Sequence, residues 1–556
     1  MTLQGPALNL PEHSHKTLLE LFSYSFTHYS DMPAFSDAGK VYTYRDINRL
    51  SRKFAAYLQN QTELQPGDRI IVQLPNMLQY PVAAIGAIRA GLVLVNSNPL
   101  YTSAEIQYQL QDSAASALVV LAERAPAIAA IIPGSQIKYC FLVQEGDLLG
   151  FPHNVLNNLK RMWQQHLHRH VDGMSTFKAF SAVLTKGDRL KYKFPDVLPD
   201  QLALLQYTAG TSGDPRGVML SHTNLLANLQ QIKQVFGDLI VPGKEVAIVP
   251  LPLYHIYSFT LNMLVLQEAG AHRVLIRDAQ DVDALLNEML RWPFTLFSGL
   301  NSLFMALCRT PELQRVDFTA LKLTISGGMA LSDSVMNCWK LITGCGIIDG
   351  YGLTETSPVV AVNSPKATKS ATVGTPLPGT AVKVVGEQGE ILPEGEAGEL
   401  FVQGPQVMQG YWRDPVATHA VLNNSGWLAT GDIARLSSDG SMTLIDRKSD
   451  LIHVANFTIY PNELENVITS HPDVLECAVI GVPNGVTGEQ IKAYIVSVSS
   501  RLSVKAIRDY CRERLTTYKV PHQVEFCQSI PRSSIGKIKR RSLREEPVKS
   551  TRRAHE

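Results

Sequence analysis

The sequence has few cysteines, and their arrangement excludes two classes of protein. Its 556 residues include seven cysteines, none of which forms a CxxC pair. An odd number of cysteines cannot pair completely within one chain, and closely spaced pairs are typical of structural zinc sites. The composition therefore indicates a reducing compartment and a protein without a structural metal ion.

Net charge and long hydrophobic runs are also scarce. The formal net charge is +1, with 45% hydrophobic and 18% charged residues, which is typical of a globular protein and not of a dedicated nucleic-acid binder. The most apolar window, residues 80–95, contains Arg89 and Gly91 and is too short to span a bilayer, so it predicts a buried helix followed by a strand. Residues 1–16 lack the pattern of a secretory signal. We therefore expect a cytoplasmic protein, attached at most to the inner face of a membrane.

The chain is too long for one hydrophobic core, so two or more domains are expected. Up to about residue 445, helical segments alternate with short apolar strands, which predicts an α/β protein with parallel sheets. Between 374 and 445, short strands with frequent turns predict a β-rich subdomain. We predict a large N-terminal domain over 1–445, a charged hinge at 446–450, and a small mobile α+β domain over 451–556.

One segment, residues 148–170, combines an apolar helical stripe with basic residues in its second half. The stripe includes Trp163 and Leu167, and the basic residues include Lys160 and Arg161. We favour a surface helix packed on its own domain. The alternative is an interfacial helix resting on an anionic membrane, which would make the chain a peripheral membrane protein.

A glycine-rich loop, TAGTSGDPRG at 208–217, has the composition of an anion site. Its glycines allow backbone N–H groups to converge, its hydroxyl side chains can donate, and Arg216 adds a cation. The loop does not follow the Walker pattern, because it has no Gly-Lys-Ser/Thr. Since most glycine-rich loops are only turns, this loop alone does not establish nucleotide binding.

Four other stretches carry side chains suited to a nucleotide and its metal ion. The turn DGYGLTETSP places Thr354 beside Glu355, whose hard carboxylate oxygens suit Mg²⁺. Asp432 lies in a glycine turn, where its carboxylate can accept from ribose hydroxyls. Arg447 follows in DRKSD, and Lys537 follows a glycine in PRSSIGKIKRR. Each stretch alone has a structural explanation, such as a cap, a turn or a surface ion pair. Structural roles alone do not explain the four stretches occurring together and in this order.

This order and spacing resemble the adenylate-forming superfamily of acyl-CoA synthetases, luciferases and peptide-synthetase adenylation domains, and especially the bacterial long-chain fatty-acyl-CoA synthetases. The resemblance extends over nearly the full length, through YTYRDINRLSRKFAAYLQ, LPNMLQYPVA, LPLYHIYSFTLN, GPQVMQGYW, IYPNELENVI and IGKIKRRSLRE. It implies activation of a fatty acid with Mg-ATP to an acyl-adenylate, rotation of the small domain, and attack by the thiol of CoA. ATP, Mg²⁺ and CoA are the implied cofactors.

The resemblance also implies which residues hold the nucleotide. The glycine-rich loop would wrap the β- and γ-phosphates, two glycine turns would flank the adenine, and two charged residues would bond the ribose. In chain order these residues are Thr208, Gly210, Thr211, Ser212, Gly213, Arg216, Gly217, Gly327, Gly328, Asp349, Gly350, Tyr351, Gly352, Thr354, Asp432 and Arg447.

Four residues are implied in catalysis. Lys537 would approach the fatty carboxylate and the α-phosphate, where its cation would neutralise charge developing at phosphorus. Glu355 would bind Mg²⁺, Thr354 would contact phosphate, and His255 would lie by the carboxylate, although a core histidine is the structural alternative. The residues implied around the acyl chain are His255, Phe259 as a gate aromatic, Gly299, Asn301 and Gly328.

Several positions depart from the pattern of the family. Ser212 and Arg216 replace a threonine and a lysine in the phosphate loop, keeping the hydroxyl and the charge. Ser449 lies at the hinge, where Asp or Lys is usual. Ala455 and Asn456 replace a serine–glycine pair on the path of the CoA arm, where an Asn side chain would crowd the thiol. The departures at 449–456 therefore concern the second half-reaction.

Three functions stay open from the sequence. The leading hypothesis is a long-chain fatty acid–CoA ligase. The second is an acyl-adenylate former that passes the acyl group to another acceptor, such as a carrier protein. The third is a degenerate acyl-binding or sensor relative. The sequence does not determine the oligomeric state, and a homodimer is compatible with it.

Overall fold

The structure, a computed structural model, describes residues 1–9, 14–149, 177–208, 215–328, 331–365, 372–455, 457–485, 488–499, 501–532 and 537–545. Three sets of residues named above lie outside these ranges: Gly210, Thr211, Ser212 and Gly213 of the phosphate loop, Asn456, and residues 150–170 of the amphipathic segment. Within the described ranges, no helix has the length and apolar character needed to cross a membrane.

Two mainly parallel sheets form the centre of the N-terminal domain. In the described residues the first sheet has eight strands, in the spatial order Gly410–Tyr411, Arg216–Ser221, Leu202–Thr208, Val93–Asn96, Arg69–Gln73, Ala117–Leu121, Tyr139–Val143 and Phe177–Ala179. The second has nine, in the order Thr375–Pro376, Val359–Val362, Ile347–Gly352, Leu323–Gly327, Leu296–Gly299, Val246–Val249, His272–Leu275, Pro33–Asp37 and Lys40–Thr43. The prediction of an α/β fold with parallel sheets is confirmed.

Helices cover the faces of these sheets. Gln79–Arg89 is buried along almost its whole length and leads into the strand Val93–Asn96, so the apolar window at 80–95 is a buried helix followed by a strand, as predicted. The other α-helices described here are Leu18–His28, Tyr44–Gln61, Ser103–Ser113, Ala125–Ile131, Phe180–Gly187, His222–Phe236, Ile256–Ser258, Leu266–Glu268, Val282–Arg291, Asn301–Cys308, Asp333–Thr343 and Pro415–Val421.

A third sheet is antiparallel and confirms the predicted β-rich subdomain. Its strands, in spatial order, are Thr2–Gln4, Ala381–Val385, Gly398–Gln403, Leu428–Leu436 and Met442–Arg447. The N-terminal strand was not predicted from the sequence. It pairs antiparallel with Ala381–Val385, which ties the start of the chain to this sheet.

The smaller C-terminal domain has the predicted α+β character. Its strands are Ile452–Val454, Phe457–Ile459, Val474–Asn484, Gly488–Ser497 and Gln523–Phe526, and its helices are Pro461–Thr469, Val504–Arg512 and Arg540–Glu545. The buried residues Ile452, Leu464, Val479 and Ile507 belong to a core of its own. A domain with its own hydrophobic core can move as one body.

Local capping fixes the chain after the glycine-rich loop. Ser221 caps the helix His222–Phe236: its Oγ accepts from the Asn224 backbone N–H at 3.1 Å, and Asn224 Oδ1 accepts from the Ser221 backbone N–H at 3.0 Å. This reciprocal pair satisfies N–H groups that the helix leaves open at its start. Asn224 Nδ2 also donates to the Val407 carbonyl at 2.8 Å. The strand that leaves the loop is thereby fixed against residues 405–412.

Candidate active site

A buried carboxylate, Asp432, is held between side chains from two sheets. Tyr351 Oη donates to Asp432 Oδ2 at 2.7 Å, and Arg447 Nε lies 3.0 Å from Oδ1. Asp432 and Arg447 are register partners on adjacent antiparallel strands. Burial, and then the charge of Asp432, raise the pKa of Tyr351 well above its ordinary value, so its hydroxyl stays a donor. Each carboxylate oxygen is fixed by one protein partner and retains a lone pair for a ligand.

A second carboxylate, Glu355, lies in the short turn Thr354–Thr356. Its Oε1 accepts from Tyr411 Oη at 2.9 Å, and its backbone carbonyl accepts from the Met408 N–H at 2.8 Å. The described residues contain no group of three or more acidic, histidine or cysteine side chains placed to hold a metal ion. Glu355 therefore fits the way proteins hold Mg²⁺ with a nucleotide, through one or two carboxylates while phosphate oxygens and water complete the coordination.

The glycine-rich loop joins two paired strands of the first sheet. Thr208 and Arg216 are register partners at the ends of Leu202–Thr208 and Arg216–Ser221, so the two strands that flank the loop in sequence form an antiparallel hairpin. The Gly217 carbonyl accepts from the Trp412 backbone N–H at 2.7 Å. The hairpin is thereby anchored at its base beside the strand Gly410–Tyr411.

Arg216 connects this hairpin to the surroundings of Glu355. Its Nε lies 3.5 Å from Asp414 Oδ2, and its guanidinium lies 5.4 Å from the centre of the Tyr411 ring. Tyr411 is the residue whose hydroxyl donates to Glu355. The expected phosphate cation and the expected Mg²⁺ ligand therefore share one aromatic neighbour.

Lys537 reaches this site from the C-terminal domain. Burial, and then the Arg447 guanidinium, lower the pKa of Lys537, while the carboxylates of Asp432 and Glu355 oppose that change. The Lys537 ammonium therefore interacts electrostatically with three charged groups of the N-terminal domain. The structure thus brings together Lys537, Glu355, Asp432 and Arg447, which the sequence separates by up to 182 positions.

His255 belongs to the same surroundings and is uncharged. Burial, and then the positive charge of Lys537, lower the pKa of His255 to about 4. Its Nδ1 accepts from the Tyr257 backbone N–H at 3.3 Å, which leaves the ring proton on Nε2. At neutral pH His255 can therefore act as a hydrogen-bond donor but not as a cation.

The residues expected around the adenine lie on two adjacent parallel strands. Ser326 pairs in register with Asp349, and Gly327 with Gly350. Asp349 Oδ1 and Ser326 Oγ are buried without a hydrogen-bond partner among the described residues. Burial raises the pKa of Asp349 to about 7. Gly352 ends this strand, and a Cβ there would collide with the Pro358 carbonyl oxygen.

Three of the residues expected around the acyl chain, Gly299, Asn301 and Gly328, lie near the end of the neighbouring strand. Gly299 ends Leu296–Gly299, and a Cβ on it would lie 3.0 Å from the Phe304 ring. Gly328 has a φ of +88°, a conformation that favours glycine, and the nearest side-chain atom to a Cβ there belongs to Leu300 at 3.9 Å. Asn301 starts the helix Asn301–Cys308. Phe259, 1% exposed, starts the π-helical segment Phe259–Val265, and such segments are frequent at functional sites.

Two of the expected hinge and CoA-path residues, Ser449 and Ala455, are described: Ser449 lies between the two domains, and Ala455 directly follows the C-terminal-domain strand Ile452–Val454. Ser449 is exposed in the turn Lys448–Asp450, which follows Arg447 directly. Ala455 is exposed and has a φ of +52°, in the left-handed region that costs a non-glycine residue roughly 1–2 kcal/mol. Ala455 thus keeps the backbone conformation of a glycine without being one.

Three residues that hold this site together were missed from the sequence. Tyr411, Trp412 and Asp414 contact Glu355, Gly217 and Arg216 respectively. They follow Gly410 in the stretch GPQVMQGYW and its continuation RD. The feature of the sequence that could have identified them is a pair of consecutive aromatic residues after a glycine.

Comparison with known proteins gives the family. The family model "AMP-binding enzyme" matches residues 22–412, and "AMP-binding enzyme C-terminal domain" matches 463–537. A long-chain-fatty-acid–CoA ligase of Salmonella typhimurium strain LT2 is 42% identical over 538 residues, covering 96% of this chain and 95% of that protein.

Solved structures agree in fold. ATP-bound MatB from Rhodopseudomonas palustris is 27% identical, covers 94% of this chain and 98% of its own, and superposes with a TM-score of 0.81. Apo MatB, with the same sequence identity and coverage, superposes with a TM-score of 0.71. The arrangement of this chain is therefore closer to the ATP-bound structure. With a family model matched over most of its length and a relative at 42% identity, this chain belongs to the AMP-binding enzyme family, the adenylate-forming superfamily.

Proposed function

We propose that this chain is an AMP-forming long-chain fatty acid–CoA ligase. Relatives that carry this name are 40% to 42% identical over nearly the whole chain. The structural observation that supports the proposal is that Lys537, from the C-terminal domain, interacts electrostatically with Arg447, Asp432 and Glu355 of the N-terminal domain. The substrates are a fatty acid, ATP and CoA.

The reaction has two half-reactions. In the first, a carboxylate oxygen of the fatty acid attacks the α-phosphorus of ATP, the bond to the β-phosphate oxygen breaks, and pyrophosphate leaves. In the second, the sulfur of CoA attacks the acyl carbon, the bond to the AMP oxygen breaks, and AMP and the thiol proton are released. Because the substrates supply both nucleophiles, the protein acts by positioning them and by stabilising charge.

The nucleotide residues keep the roles expected from the sequence. Asp432, oriented by Tyr351 and Arg447, accepts from the ribose hydroxyls. The loop from Thr208 to Gly217 wraps the β- and γ-phosphates, with Arg216 as its cation. The unpartnered Asp349 Oδ1 supports a role beside the adenine, because a buried polar atom without a partner is costly unless a ligand satisfies it.

Each of the proposed catalytic residues stabilises charge at a different group in the first half-reaction. Lys537 stabilises negative charge at the α-phosphate, and neutral His255 donates from Nε2 toward the fatty carboxylate. Glu355, with Thr354 beside it, would hold Mg²⁺, and the ion would supply positive charge for phosphate oxygens. The acyl chain is taken up beside Phe259, Gly299, Asn301 and Gly328.

The domain organisation completes the proposal. Residues 1–445 bind ATP and the acyl substrate, residues 446–450 with Ser449 form the hinge, and residues 451–556 rotate between the half-reactions. Ala455 and Asn456 would then line the path of the CoA arm.

One assay tests the function against its alternatives. Pyrophosphate release is measured with palmitate and ATP, with and without CoA, and palmitoyl-CoA is quantified. We expect pyrophosphate release and CoA-dependent thioester formation. Pyrophosphate release without any thioester would favour transfer to another acceptor such as a carrier protein, and no pyrophosphate release would favour a degenerate acyl-binding or sensor protein.

Cellular location and assembly are further parts of the proposal. We place the protein in the cytoplasm, with residues 148–170 packed on their own domain, and an interfacial helix on the inner face of the membrane as the alternative. Liposome co-sedimentation of wild type and a variant with Trp163 and Leu167 made polar separates these, since only the alternative predicts a loss of binding. Light scattering after gel filtration tests the homodimer.

A further inference from the structure

A buried polar cluster lies where the C-terminal domain meets the strand Met442–Arg447. At its centre is Arg540, three residues after Lys537. Its Nη1 lies 3.3 Å from Asp450 Oδ2, and its Nη2 donates to Asn462 Oδ1 at 3.1 Å and to Glu465 Oε1 at 2.7 Å. The Arg540 side chain is 13% exposed. One guanidinium therefore joins the Lys537 segment, the turn after Arg447 and the helix Pro461–Thr469.

Asn462 continues this cluster into the N-terminal domain. Its backbone N–H donates to Asp446 Oδ2 at 2.8 Å, and its Nδ2 donates to the Ile445 carbonyl at 3.0 Å. Asp446 pairs in register with Ile433 in the third sheet, so it belongs to the N-terminal side. Asp446 is the first residue of the proposed hinge at 446–450 and is held on the N-terminal side by this pairing, so both bonds of Asn462 join the C-terminal domain to that side.

Three contacts near this cluster lie inside the C-terminal domain. Arg532, on the other side of Lys537, donates to Glu476 Oε2 at 2.8 Å, and a single antiparallel bridge joins it to Ile538. Glu465 Oε1 accepts from the Val479 backbone N–H at 2.8 Å. A rotation about 446–450 would carry these contacts along unbroken but would separate Asn462 from Ile445 and Asp446.

We propose that Asn462 and Arg540 are positioning residues that form a latch across the hinge. The latch holds Lys537 at the α-phosphate during adenylation and opens before CoA attacks. Hydrogen bonds exchanged for bonds to water have a small net cost, so a few such bonds can favour one arrangement without locking it. The assignment of the two half-reactions rests on the proposed function.

Three variants and a matched control test the latch. Asn462→Ala removes the side-chain bonds to Ile445 and Arg540, Arg540→Ala removes the centre of the cluster, and Arg540→Lys retains the cation. The control is Glu463→Gln on the same helix, whose ion pair with Lys519 lies inside the C-terminal domain. Adenylation is measured by ATP–pyrophosphate exchange, and the second half-reaction by thioester formation from supplied palmitoyl-AMP and CoA.

The expected result is a split between the half-reactions. Asn462→Ala and Arg540→Ala should lower kcat of exchange by about tenfold or more, because small displacements of a catalytic group are costly, with little change in KM for ATP. Thioester formation from palmitoyl-AMP should be unchanged or faster, Arg540→Lys should recover part of the lost rate, and Glu463→Gln should match wild type. A proportional fall in both half-reactions, or unchanged exchange, would overturn the latch.

Hydrogen–deuterium exchange gives a readout that does not depend on activity. The Asn462 amide should exchange faster in Asn462→Ala and Arg540→Ala than in Glu463→Gln, while peptides from Val474–Asn484 stay protected in every variant. Equal exchange of that amide in all proteins would also overturn the latch. If wild type forms no acyl-CoA, the proposed function fails, and this measurement still decides whether the latch exists.

Discussion

The carboxylate of Asp432 permits a quantitative test of the nucleotide assignment. Asp432→Asn keeps the shape of the side chain but removes the charge that would accept from ribose. A hydrogen bond to a charged group contributes about 1.5–3 kcal/mol, and each 1.4 kcal/mol is roughly tenfold in affinity. Because the Asp432 side chain is only 8% exposed, we expect the Kd of ATP to rise by about 10–150-fold for one such bond.

The assay compares ATP with 2′-deoxy-ATP and 3′-deoxy-ATP by isothermal titration calorimetry. In wild type, removing a bonded hydroxyl should weaken binding by a factor in this range. In Asp432→Asn the same removal should have a much smaller effect, because the acceptor has already lost its charge. Tyr351→Phe is the matched control: it loses the 2.7 Å bond to Asp432 but keeps the carboxylate and Arg447, so discrimination between the nucleotides should persist.

One result would refute the reasoning directly. If the deoxy nucleotides lose the same factor in Asp432→Asn as in wild type, Asp432 does not bond the ribose, whatever its effect on ATP binding. Asp432→Asn also leaves Arg447 without its counter-charge, which can disturb the fold locally. An unchanged circular dichroism spectrum and thermal midpoint would show that the comparison is made between folded proteins.

Three further predictions follow from charge and backbone geometry. Lys537→Ala should abolish acyl-adenylate formation while the affinity for ATP changes little. Because the pKa of Lys537 is lowered, the rate of adenylation in wild type should decline as pH rises into the alkaline range. Lys537→Arg should lack that decline. Burial raises the pKa of Asp349 from 3.8 to about 7, so ionisation of its carboxyl group opposes folding. The stability of the protein should therefore fall as pH rises between these two values. The thermal midpoint of Asp349→Asn should fall less than that of wild type over the same pH range. Ala455→Gly should relieve about 1 kcal/mol of left-handed strain and raise the urea midpoint of the C-terminal domain, whereas a lowered midpoint would contradict this.

The sequence predicts those elements whose formation is decided locally. The helix Gln79–Arg89 and the strand Val93–Asn96 carry their own apolar pattern. The strand Thr2–Gln4 could not be predicted, because three residues form a strand only through their partner, which lies about 380 positions away.

The same distinction applies to the site. Residues in glycine turns, such as Glu355 and Asp432, are recognisable from their immediate neighbours. Tyr411 and Asn462 are not, because their importance comes from contacts with Glu355 and with residues 445–446, which only the folded chain brings close. The sequence therefore proposes residues for the chemistry, whereas the residues that contact and orient them emerge only from the fold.

Arg216 shows what a conservative-looking departure changes. A lysine at this position would offer one nitrogen, whereas the guanidinium of Arg216 lies 3.5 Å from Asp414 through Nε and 5.4 Å from the centre of the Tyr411 ring. In the proposed function the Nη atoms would bond phosphate. Since Tyr411 donates to Glu355, Arg216 couples the phosphate hairpin to the carboxylate assigned to Mg²⁺. Arginine at this position therefore supplies orientation as well as charge, and it does so through two residues that lie about 200 positions further along the chain.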